Sequence, residues 1–180
     1  NVVYSCFSQK VTLKHDFKSP SGGVPASNTK LFRLGTVGVL SRSGSLGTLM
    51  CQNIVTAGYG QTAFVGIGGD PIIGTTTRDA LMALDKFPGT QAIVMVGEIG
   101  GTMEEEAAEY ASHMTKPVLA FIAGSAAPKG KKMGHAGAIV AGDKGAYESK
   151  VLALKASGVN VLSTPVHLGD ALQEALGSST

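Results

Sequence analysis

The chain has 180 residues, 43% of them hydrophobic and 16% charged, with 25 glycines and a formal net charge of +2. That is enough apolar material for one globular domain with a buried core, and it argues against a disordered chain or a charge-driven nucleic-acid binder. No apolar run approaches the roughly 20 residues that cross a bilayer, and no secretory signal is apparent.

Residues 1–35 stand apart. They carry Lys10, Lys14, Lys18, Lys30 and Arg33 against Asp16 alone, which leaves ten basic and twelve acidic residues for the remainder. They contain the turn-forming stretch SPSGGVPASN, and no aromatic residues alternate with the lysines as a nucleic-acid platform requires. The expectation is an irregular, solvated basic arm over 1–35 and a single domain over 36–180. A chain that starts at Asn1 is expected to have had something upstream removed or left out. A remnant of organelle targeting is the weaker reading of the arm, since its bases are mostly Lys.

From Thr36 onward, short β-rich runs alternate with longer amphipathic stretches. Strands are predicted at 36–42, 62–68, 91–97, 117–123 and 159–163, nearly continuous in apolar character, as in a parallel sheet covered on both faces. Helices are predicted between them at about 45–57, 75–86, 103–114 and 145–157, with a last one at 167–176. Boundary signals agree: Thr75–Thr77 before one helix, Glu104–Glu106 in the first turn of the next, and Gly158 after the fourth. Five such units predict a doubly wound, flavodoxin-like α/β domain with parallel strand order 2-1-3-4-5. In that order the segments after strands 1, 3 and 4 converge on one crevice.

After strand 1, Ser43, Gly44 and Ser45 open a helix whose free N–H groups suit an anion, although an ordinary N-cap uses the same residues. After strand 3, Glu98 sits among glycines as either a solvated loop carboxylate or the acceptor for an imidazole Nδ1–H, which leaves Nε2 free to attack. After strand 4, GKKMGHAGAIV presents His135 with little bulk around it, Lys131 and Lys132 just upstream, and Gly134 as a further expected phosphate contact. Together these give an anion site, a nucleophilic imidazole and a carboxylate that positions it. The GIGGDP loop at 66–71 is either a turn or a ligand contact. His113 reads as a surface residue compensating a helix dipole, and His15 and His167 receive no role. Cys6 and Cys51 lack metal or redox spacing and are expected as free thiols, and no metal site is expected from the histidines.

The segments VGVLSRSGSL, VGIGGDPIIGTT, AIVMVGEIGGTMEEEAAEY, TKPVLAFIAG and APKGKKMGHAGAI resemble the ligase half of the succinyl-CoA synthetase α-subunit family, over about Leu34 to Leu176. The resemblance implies that His135 takes a phosphoryl group from an acyl phosphate and passes it to a nucleoside diphosphate, with Glu98 bonding the ring. Ser43–Ser45 then matches the helix start that faces the phosphate. It further implies coenzyme A as substrate, ATP or GTP with Mg held by an ATP-grasp β subunit, and a cytoplasmic or mitochondrial-matrix location.

The sequence departs from that family in three places. No GxGxxG segment near residue 1 corresponds to the family's CoA-binding domain, so coenzyme A is expected to be bound mainly by a separate domain. Thr48 stands where a substrate-adjacent Tyr is expected, which admits citrate or malate as well as succinate. Ser125 and Ala126 replace Val and Thr, with no evident consequence. A non-catalytic binding module descended from such a ligase is the alternative reading.

Overall fold

The computed structural model describes residues 31–70, 72–127, 135–139 and 145–177. Most of the expected basic arm, and with it Cys6 and His15, lies outside the described residues, as do Lys131, Lys132 and Gly134. The elements are β1 (Leu34–Ser41), α1 (Gly44–Thr56), β2 (Gln61–Gly66), α2 (Thr77–Lys86), β3 (Ala92–Glu98), α3 (Met103–Ala111), β4 (Val118–Ala123), α4 (Tyr147–Ala156), β5 (Asn160–Val161) and α5 (Leu168–Leu176). A single 3-10 turn at Pro165–His167 leads into α5.

The sheet has the order β2-β1-β3-β4-β5, parallel throughout, which is the flavodoxin-like arrangement expected from five β-α units. All seven residues of β3 are buried, which fits its central place under helices on both sides. Alternation within the strands divides the core in two. Val37, Val39, Val94 and Val96 pack with Met50 and Ile54 of α1 and Leu168 and Leu172 of α5. Leu40, Ile93, Met95 and Ile122 face the other way, onto Leu81 and Leu84 of α2, Ala107 and Ala108 of α3, and Leu154 of α4.

Local chemistry explains the ends of the elements. Thr76 and Asp79 form a reciprocal capping box at the start of α2, one residue inside the threonine run. The third helix stops at Ala111, three residues short of expectation, because the chain must turn before extended residues lead into Pro117. Gly158, at φ +78°, closes the turn after α4. The last strand pairs over two residues only, with Leu162 N–H adding one more bond to Ala120. At the other end, β1 starts two residues early and Phe32 packs edge-on against Phe64 in the core.

Candidate functional site

Register brings the C-terminal ends of the central strands together. Ser41 at the end of β1 pairs with Gly66 on β2 and Val96 on β3, while Glu98 at the end of β3 pairs with Ala123 on β4. Three further bonds carry this alignment past the strand ends: Arg42 N–H to Val96, Ile67 N–H to Ser41 and Ile99 N–H to Ala123. Loops leaving these ends meet at the switch point of the sheet, where ligands of open parallel sheets bind.

His135 meets Glu98 there, with Nδ1 2.6 Å from Oε2. A carboxylate can only accept, so Nδ1 is the donor, and in the neutral ring Nε2 then carries the lone pair. Among the described residues Nε2 makes no hydrogen bond, and the imidazole is 40% exposed against 9% for the carboxylate. The site therefore presents one ring nitrogen to incoming groups and ties the other down.

Behind Glu98 lies a buried chain of charges. Arg42 Nη2 is 3.1 Å from Glu98 Oε1 in an ionic contact that lacks the alignment of a hydrogen bond. Its Nη1 donates to Glu104 Oε1 at 3.2 Å and to the carbonyls of Gly100 and Glu98 at 3.0 and 3.3 Å. The same Glu104 oxygen accepts the backbone N–H of Glu98 at 3.2 Å. Its other oxygen pairs with Lys150, whose ammonium also reaches Glu105 at 3.2 Å and the Gly101 carbonyl at 2.9 Å. Arg42, Glu104 and Lys150 are 2%, 0% and 0% exposed, so each charge depends on its neighbours for compensation. The chain ties β1, β3, α3 and α4 to one carboxylate.

The histidine segment is seated by glycines. The Gly137 N–H donates to Gly69 in the loop after β2 at 2.9 Å, and a Cβ on Gly69 would overlap the His135 ring. Gly100 adopts φ +90°, and a Cβ there would overlap the Gly137 carbonyl. The GIGGDP loop lies against the histidine segment through Gly69.

Ser43, 9% exposed, is the N-cap of α1, with its hydroxyl facing Leu46 N–H and Ser45 Oγ at 3.4 Å each. Ser41 pins the same turn, accepting the Ser43 N–H at 3.1 Å and donating to the Ser43 carbonyl at 2.6 Å. Gly44 begins the helix and Ser45 is exposed, so the start of α1 follows directly on the arginine that holds Glu98. Thr48 lies one turn on and donates to Gly44 at 2.8 Å, within its own helix. His113 bonds the Glu109 carbonyl with Nδ1 at 3.1 Å near the end of α3, and His167 lies in the turn before α5. Cys51 is buried in the core, where burial pushes its thiol up. Among the described residues, no group of three or more His, Cys, Asp or Glu could hold a metal ion, and no helix is long and apolar enough to cross a membrane.

Sequence reasoning missed Arg42, Glu104 and Lys150, and took Gly69 only as part of the GIGGDP loop. Two of them left a signal. Glu104 falls in register with buried Ala107, Ala108 and Ala111 on α3, and Lys150 lies four residues before buried Leu154 on α4. A charge on a core-facing stripe demands a partner.

Residues 40–160 match the family described as CoA-ligase. The chain is 51% identical over 146 residues to the succinate–CoA ligase [ADP-forming] subunit alpha of Staphylococcus aureus, covering 81% of this chain and 48% of that protein. It is 48% identical over 149 residues to the protein of the same name from Methanothermobacter thermautotrophicus, covering 83% and 51%. The chain thus spans about half the length of these curated relatives. Among solved structures, an ATP citrate lyase from Methanothrix soehngenii in complex with citrate and coenzyme A superposes with a TM-score of 0.72 at 25% identity, over 83% of this chain and 26% of that one. The Methanosaeta concilii ATP citrate lyase with (3S)-citryl-CoA gives 0.71 at 26%, over 82% and 25%.

Proposed function

We propose that this chain, which belongs to the CoA-ligase family, carries the phosphoryl-relay step of an acid–CoA ligase on His135. The observation that carries the reading is the 2.6 Å contact from Glu98 to Nδ1, which ties down that nitrogen and leaves the partly exposed ring's Nε2 as the one available to react beside a run of strand ends. The Nε2 lone pair attacks the phosphorus of an acyl phosphate, the P–O bond to the acyl group breaks, and the acid leaves as a carboxylate. Glu98 keeps the Nδ1 proton and offsets the positive charge that develops on the ring. A nucleoside diphosphate then takes the phosphoryl group from nitrogen. With the acyl phosphate formed first by attack of phosphate on the acyl-CoA thioester, which releases CoA, the sum is acyl-CoA + phosphate + NDP ⇌ acid + CoA + NTP.

The N-terminal N–H groups of α1, from Gly44 onward, suit the phosphoryl oxygens, with Ser43 and Ser45 hydroxyls beside them. Gly134 belongs to the same proposed phosphate contacts. ATP or GTP, with its Mg, is proposed to sit on an ATP-grasp β subunit, and coenzyme A on a CoA-binding domain outside these residues. Two curated relatives carry the name of an alpha subunit, which supports a partnered enzyme. Succinate is the acid those names favour. The citrate-bound lyase structure and Thr48, whose hydroxyl is engaged by Gly44, keep citrate as the competing acid.

Incubation of the assembled enzyme with radiolabelled nucleoside triphosphate, or with acyl-CoA and labelled phosphate, tests the reading. An acid-labile, base-stable label that disappears in His135→Asn is expected. Label on a serine instead would overturn it. Phosphate-dependent thermal stabilisation without any label would identify the chain as a binding module.

A further inference from the structure

We infer that Arg42 is a positioning residue that claims one acceptor of the side chain at position 98, so that only a group with two acceptors there, a carboxylate, can also accept from His135 Nδ1 and leave Nε2 free to react. The inference rests on the phosphohistidine reading for its consequence, though not for its geometry. The two carboxylate oxygens of Glu98 are not equivalent: Oε1 faces Arg42 Nη2 at 3.1 Å and Oε2 faces His135 Nδ1 at 2.6 Å. A guanidinium donates and never accepts, and it does not lose its proton in a protein. Any group at position 98 must therefore turn an acceptor towards Arg42. With both positions buried, at 2% and 7% exposure, water cannot relieve a mismatch.

A carboxylate satisfies both neighbours because both its oxygens accept. Glutamine has the same shape but one acceptor and one donor. In Glu98→Gln the new side chain must present its oxygen to Arg42 and its amide N–H to His135. The imidazole then has to accept at Nδ1, which moves its proton to Nε2 and removes the nucleophilic lone pair. The loss follows from Arg42, transmitted through position 98.

Arg42 is itself held against rotation. Its Nη1 bonds Glu104 and the Gly100 and Glu98 carbonyls, and Glu104 is anchored in turn by Lys150. The guanidinium is thus fixed from the α3 and α4 side, independently of the histidine loop.

The test reads the tautomer of His135 by nitrogen NMR of the full chain labelled at histidine, assigned with His135→Asn. Wild type is expected to carry its proton on Nδ1, and Glu98→Gln on Nε2. Arg42→Met combined with Glu98→Gln frees the glutamine to turn its oxygen to the ring, so the Nδ1–H form should return. Phosphorylation by phosphoramidate supplies the matching reactivity readout: Nε2 attacks phosphorus, the P–N bond breaks and ammonia leaves. Glu98→Gln should slow it by up to about 10⁴-fold, the cost of holding an imidazole in the wrong tautomer, and the double variant should recover most of that loss. A wild-type tautomer in Glu98→Gln overturns the inference, as does a folded double variant that behaves like Glu98→Gln. If the double variant does not fold, Glu98→Gln, which preserves shape, decides alone. Arg42→Lys with Glu98→Gln should keep the Nε2–H form, because lysine also only donates. Tautomers that follow this pattern in a chain that never acquires a phosphoryl group would refute the proposed function and leave the role of Arg42 intact.

Discussion

The imidazole of His135 rests directly on Gly69, so closely that the backbone of the loop after β2 leaves no room for a Cβ beneath the ring. The imidazole is thus seated by an element far from it in sequence, and the seat is built from the absence of a side chain.

Gly69→Ala should push the ring away from Glu98. Displacement of about an ångström costs roughly a hundredfold in a positioned reaction, so phosphohistidine formation should fall by about that factor. Gly68→Ala is the matched control. It lies at φ +89° with open space where a Cβ would go, so it strains the backbone by about 1–2 kcal/mol without touching the ring. Labelling rates and thermal melts of the two variants check this. Equal loss of labelling in both would remove the seat from the account.

Lys150→Met removes one end of the buried charge chain and leaves Glu104 with Arg42 alone. Breaking a buried pair from one side costs roughly 3–5 kcal/mol. Urea denaturation should show a lower midpoint with an unchanged slope. A variant as stable as wild type would show that the ammonium is dispensable.

Cys51 should resist alkylation while the chain is folded. It is buried in the core, and burial pushes its thiol up, so the reactive thiolate is scarce and shielded. Its folded pKa lies above the unfolded value of about 8.5, so its contribution is full below that pH and is lost as pH rises further. Mass spectrometry should find Cys51 unmodified by iodoacetamide until denaturant is added. Cys51→Ala should decline less steeply in stability above about pH 8.5.

Tyr110 donates its hydroxyl to Asp85 Oδ2 at 2.8 Å and links α3 to the end of α2. That bond to a carboxylate, then burial, then the charge of Asp85 raise the phenol above its usual value. Tyr110→Phe should cost about 0.5–1.5 kcal/mol, at the low end because the pair is partly solvated. The raised group stabilises fully below its unfolded pKa of about 10, so the gap between wild type and variant should be flat across neutral pH and shrink above that value. Denaturation at pH 7 and above pH 10 measures both. A gap that widens at high pH would contradict the assignment.

Much of the architecture was legible because it is written locally. The unbroken apolar run at residues 92–96 in β3 announces a strand covered on both faces, and its glycine-flanked Glu98 announces a carboxylate at the strand mouth. The Thr76–Asp79 capping box and the turn at Gly158 mark helix ends by chemistry that spans four residues or fewer. The pairing of His135 with Glu98 was also legible, because strand order 2-1-3-4-5 brings their loops to one crevice whatever the side-chain details. Glu104 misled for a physical reason. Three adjacent glutamates in a first helical turn are all favoured by the dipole, so propensity alone cannot say that one of them is completely buried.

The sequence by itself determined the periodicity of each segment, the positions of the turns and the residues available for chemistry, since these follow from side-chain shape and from bonds between near neighbours. Only the tertiary structure decided that Arg42 reaches Glu98 across 56 residues, that Lys150 reaches Glu104 across 46, and that Gly69 lies under the ring of His135. Those contacts depend on strand register and on how deeply each helix packs. Buried charges acquire their partners only when whole elements come together, so no single segment carries the information.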